Sequence, residues 1–67
     1  MSSVGEQILV ELKRNRDLLD VYKGLPDGVG MFGATMINAD IDFAEKALAE
    51  NDVIAILQAY EKLKGNE

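Results

Sequence analysis

A chain of 67 residues, 48% of them hydrophobic and none of them cysteine or histidine, has room for one core and no disulfide to brace it. The same two absences remove thiolate chemistry, the usual zinc ligands and the usual general base, so no catalytic residue, metal or cofactor is expected. Twelve acidic residues against seven basic ones give a net charge of −5, which disfavours general nucleic-acid binding. No apolar run approaches a membrane span and no secretory pattern opens the chain, so the expected setting is cytoplasmic. A domain this small needs reinforcement, and self-association is the form left open to it.

The pattern predicts an all-α domain over 1–67 with helices at about 4–23, 29–50 and 53–64, a helical hairpin followed by a short third helix. Ser3 with Glu6 forms a capping box for the first helix. Ile8, Leu12, Asn15, Leu19 and Tyr22 recur at steps of four and three, with Leu9 and Leu18 broadening the stripe. Asn15 interrupts that seam and has two readings. Buried against a symmetry mate it fixes register; on a half-buried seam it is an ordinary surface residue. Lys13, Arg14 and Arg16 cluster around it, flanked by Glu11 and Asp17, which reads as mutual neutralisation along a solvated helix. Gly24 is expected to stop the helix in a left-handed conformation, with Pro26 barring its resumption and Pro26-Asp27-Gly28 making a turn.

The second helix carries two apolar stripes. Gly30, Ala34, Ile37, Ile41, Ala44 and Leu48 form one, while Phe32, Met36, Ala39, Phe43 and Ala47 form another. A rod greasy on two sides needs more than one neighbour, which predicts a homo-oligomeric bundle with Asn15, Leu19, Tyr22, Met36 and Phe43 at the interface. Asn51 suits the left-handed end of that helix, and Asp52 suits the N-cap of the next. The third helix presents Val53, Ile56, Leu57, Tyr60 and Leu63, and Gly65 closes it beside Lys62 and Lys64. Tyr22 and Tyr60 end their stripes as core-edge residues with hydroxyls toward water.

Gly28, Gly30 and Gly33 stand at the G-x-G-x-x-G spacing of dinucleotide-binding loops. That fingerprint works only between a strand and a helix, and here a helix precedes it, so the Rossmann reading fails. Two readings survive. In one, the start of the second helix holds an anion among Gly28, Gly30, Phe32, Gly33 and Thr35, with Lys23 or Arg16 of the same or a neighbouring subunit as the cation and Asp27 competing as a cap. In the other, Gly24 and Gly28 make the turn, while Gly30 and Gly33 let a neighbouring helix come close. The hydroxyls of Ser2, Ser3 and Thr35 have no histidine to activate them, no calcium loop is present, and an enzyme is not expected.

The stretch from Leu18 to Glu67 resembles short proteins encoded by tailed bacteriophages and prophages. Leu-Leu-Asp-Val-Tyr-Lys at 18–23, Gly-Met-Phe-Gly-Ala-Thr-Met-Ile at 30–37 and the Asn-Asp-Val opening and Ala-Tyr-Glu-Lys-Leu-Lys-Gly close of 51–65 carry the resemblance. It implies a small accessory protein, acting in the host cytoplasm by binding rather than by chemistry. Some proteins of that type are helical oligomers that trap cyclic or ADP-ribose-type immune signals. Two functions follow as expectations: a counter-defence sponge for a small anionic nucleotide-like signal, or an acidic helical inhibitor or adaptor of a host or phage protein.

Overall fold

The computed structural model describes residues 3–67; Ser2, one of the three hydroxyl candidates, lies outside them. Three helices pack against one another in an antiparallel hairpin closed by a third rod: α1 (Val4–Lys23), α2 (Met31–Ala49) and α3 (Val53–Lys64). A short 3₁₀ turn at Pro26–Gly28 joins the first two. No strand occurs among the described residues.

The ends of the helices follow the capping chemistry. The Ser3 hydroxyl accepts from the Glu6 amide at 3.2 Å, and the Asp52 carboxylate accepts from the Ala55 amide at the same distance. Gly24 is a correction: its φ is −82°, ordinary right-handed backbone. The left-handed residues are instead Asp27 and Gly28, at φ 58° and 70°, which turn the chain within the 3₁₀ segment. Asn51 takes φ 52° as its residue type suggests. The second helix starts at Met31 and ends at Ala49, slightly inside the expected range.

The core is built from Ile8, Leu12 and Leu19 of α1, Ala34, Ile37, Ile41, Ala44 and Ala47 of α2, and Ile56, Ala59 and Leu63 of α3. Four of these eleven are alanines, so the helices approach closely and the packing relies on short side chains between a few large ones. Two predicted stripes are redrawn. Leu9 is exposed rather than part of the α1 seam, and Val53 and Leu57 stay exposed while Ala59 takes the inward position on α3. The cause is a third helix that meets the hairpin through its narrow Ile56–Ala59–Leu63 edge.

Helix lengths set up the rest. At 1.5 Å per residue α1 runs about 30 Å and α3 about 18 Å. The third helix therefore ends beside the middle of α1, and only the segment after it, Gly65 to Glu67, continues toward Tyr22.

Candidate functional site

Two polar or mixed regions and one apolar surface emerge from this packing. The first is a closed network where α3 ends. Asn15 is fully buried, covered by its own chain and not by a symmetry mate. Its Nδ2 donates to the Glu11 carbonyl at 2.8 Å and to the Leu63 carbonyl at 3.0 Å. Its Oδ1 accepts from Asn66 Nδ2 at 2.9 Å, and the same Nδ2 donates to Asp40 Oδ2 at 3.0 Å. Both amide groups thus use both of their N–H bonds. Arg14 lies over the same helix end: Nη1 donates to the Asn66 carbonyl and Nη2 to the Leu63 carbonyl, each at 2.8 Å, while Nε donates to Glu11 at 2.6 Å. Together these groups satisfy carbonyls that a helix C-terminus leaves open, and no buried side-chain polar atom among the described residues lacks a partner.

The second region is the glycine-rich start of α2. Gly30 is buried: a Cβ there would sit 2.1 Å from the Tyr22 carbonyl oxygen. At Gly33 a Cβ would fall 2.3 Å from Cε2 of the Tyr22 ring. Both glycines are therefore required by the close approach of α1's last turn. The Tyr22 hydroxyl donates to the Glu67 carbonyl rather than to water. Thr35 Oγ1 donates back to the Met31 carbonyl of its own helix at 2.9 Å. Gly30 serves as the N-cap of α2 with no side-chain bond, so Asp27 does not cap it.

Of the expected anion-site residues, Arg16 stands apart within the single chain. Arg16 pairs with Glu45 at 3.1 Å, a residue about 22 Å along α2 from Gly30 at 1.5 Å per residue. Lys23 and Gly28 are exposed at the turn, and Phe32 points away from the core at 80% exposure. The hollow of about 200 Å³ found in the bundle lies elsewhere, between the last turns of α2 and the start of α3, lined by Phe43, Lys46, Ala47, Glu50, Asp52 and Ala55.

The expected interface residues divide. Asn15 and Leu19 are enclosed within one chain, and Tyr22 is half-buried under the segment that follows α3. Met36 at 52% and Phe43 at 36% exposure stay accessible, with Lys62 Nζ standing 5.4 Å over the Phe43 ring. Around the α1–α2 turn, five large apolar side chains face outward: Val21, Leu25, Val29, Met31 and Phe32. Only Phe32 of these is in the expected site. The signal that would have found the others is their spacing, because Val21, Leu25 and Val29 fall off the core stripes of both helices.

Comparison with protein-family models, with curated proteins and with solved structures finds no match.

Proposed function

We propose that this chain is a non-catalytic binding protein that acts by protein–protein contact, an adaptor or inhibitor of a host or phage protein, and that the apolar end of the bundle is its docking surface. The observation that carries this reading is the set of exposed large apolar side chains on and around the α1–α2 turn, Val21, Leu25, Val29 at 74%, Met31 and Phe32. Soluble domains seldom leave so many large apolar side chains together unless something covers them. Asp20, Lys23 and Asp27 are exposed around the same turn and the chain carries −5 overall, so the complementary face is an apolar groove with a mainly cationic border.

The sponge reading has less support. Gly30 and Gly33 are accounted for by Tyr22, Gly28 by its turn, Arg16 pairs with Glu45, and the hydroxyl of Thr35 is satisfied within its helix.

Affinity capture from host lysate with the wild-type chain and with Val29→Asp tests the proposal. A stoichiometric partner recovered by the wild type and lost with Val29→Asp supports it. Recovery of nothing, or equal recovery by both proteins, overturns it.

A further inference from the structure

We infer that the outer flank of α2 is a pairing seam for a second copy of this chain, docked antiparallel about a two-fold axis passing between Met36 and Ala39. Phe32, Met36, Ala39 and Phe43 follow one another at steps of four, three and four, the alternation of a coiled-coil seam. All four are exposed, although α2's neighbouring stripe is buried against α1 and α3. The row is therefore a second apolar face that the single chain leaves largely open, with Lys62 reaching over only its Phe43 end.

The spacing reads the same in both directions, and this selects the orientation. In an antiparallel pair Phe32 meets Phe43 of the second copy at both ends of the seam, and Met36 meets Ala39 at its centre. Aromatic rings face rings, and the long side chain faces the short one, so the layers fill evenly. The flanking charges agree. Asp42 comes opposite Gly33 of the second copy and Asp40 opposite Thr35, so no two carboxylates are brought together. A parallel pair would instead stack Met36 on Met36 and leave a thin layer at Ala39.

The area is adequate. Phe32, Met36, Ala39 and Phe43 leave on the order of 400 Å² of apolar surface open at their observed exposures. A standard interface covers roughly 800 Å² per partner, a little over half of it apolar, which the seam and its flanks supply. The rows on α3 do not compete: Val53 and Leu57 run into Lys64, and Ile54 into Glu61.

The seam shares Phe32 with the docking surface at the turn, and variants at Met36 and Val29, each on one surface alone, separate the two. Sedimentation equilibrium at high micromolar concentration should give twice the 7.3 kDa of the chain. Met36→Glu should weaken the pairing at least about tenfold, as an unpaired charge in the centre of a seam does. Val29→Asp should leave it unchanged. Because the chain has no cysteine, register can be read by oxidation of introduced thiols. A mixture of Phe32→Cys and Phe43→Cys proteins should form the mixed disulfide dimer, and neither variant alone should. A monomer at all concentrations, or a dimer indifferent to Met36→Glu, overturns the seam. Rapid disulfide formation by Phe32→Cys alone overturns the antiparallel register.

Discussion

Asn66 Nδ2 donates to Asn15 Oδ1 at 2.9 Å, joining residues 51 positions apart at the place where α3 stops beside the middle of α1. The contact closes a network in which Asn15 is fully buried and every one of its amide groups is used. Replacing Asn15 by Ala removes two donors from carbonyls in a tight site and opens a small void. A loss of about 2–3 kcal/mol is expected from urea unfolding, whereas Asn66→Ala, at a half-buried position, should cost about 1 kcal/mol. The two losses should be less than additive, since each variant breaks the same bond. Strict additivity would show that the pair does not interact.

The packing of Tyr22 on Gly33 gives a prediction whose sign reverses with context. In the wild type, Gly33→Ala places a methyl 2.3 Å from the Tyr22 ring, and displacement of the ring should cost about 1–3 kcal/mol. In a Tyr22→Ala background the obstacle is gone, and the helix preference of Ala over Gly should make the same change stabilising by about 1 kcal/mol. Thermal melts of the four proteins decide it. An equal effect in both backgrounds would remove Tyr22 from the explanation of Gly33.

Arg14 spans from α1 to the carbonyls after Leu63 with a planar fork, and its side chain is also partly open to solvent. The value of the contact lies in geometry more than in charge, because the pairing with Glu11 is screened. Arg14→Lys keeps the charge and loses the fork, so it should destabilise nearly as much as Arg14→Ala, by about 1 kcal/mol in chemical denaturation. A lysine variant as stable as the wild type would show that charge alone suffices.

The turn offers a local test. Gly28 holds φ 70° and a Cβ there would make only an ordinary contact with Met31, so Gly28→Ala meets mainly backbone strain and should cost about 1 kcal/mol. Asp27, at φ 58°, should accept Asn with little change in midpoint, since asparagine tolerates that conformation at least as well.

Much of this fold is legible in the residues because its boundaries rest on local chemistry. Ser3 and Asp52 act through their own side chains on amides three residues away, and the predicted limits of α1 and α3 coincide with those observed. What depends on distant partners is less legible. The burial of Asn15 hinges on Leu63 and Asn66, and nothing in α1 alone distinguishes that from a dimer seam. The basic run shows the same limit. Lys13–Asp17 and Arg14–Glu11 pair along the helix as the spacing suggests, but the reach of Arg14 to α3 comes only from the bundle. On α2 the periodicity correctly marks two apolar stripes; of the second, only Ala47 enters the core. Gly30 and Gly33 read in the sequence as either a ligand cradle or a packing surface, and the ring and carbonyl of Tyr22, on a different helix, are the packing partners that the sequence does not reveal.

The central claim is that Gly30 and Gly33 serve the packing of Tyr22, leaving the exposed apolar side chains as the surface that binds. Thermal melting of the wild-type protein with cyclic nucleotides, ADP-ribose and mononucleotides at millimolar concentration tests it most directly, because a ligand held only by the folded chain raises the transition temperature. The account predicts no change in the midpoint with any of them. A rise of several degrees that disappears in Lys23→Ala would contradict it and return the start of α2 to the role of an anion site.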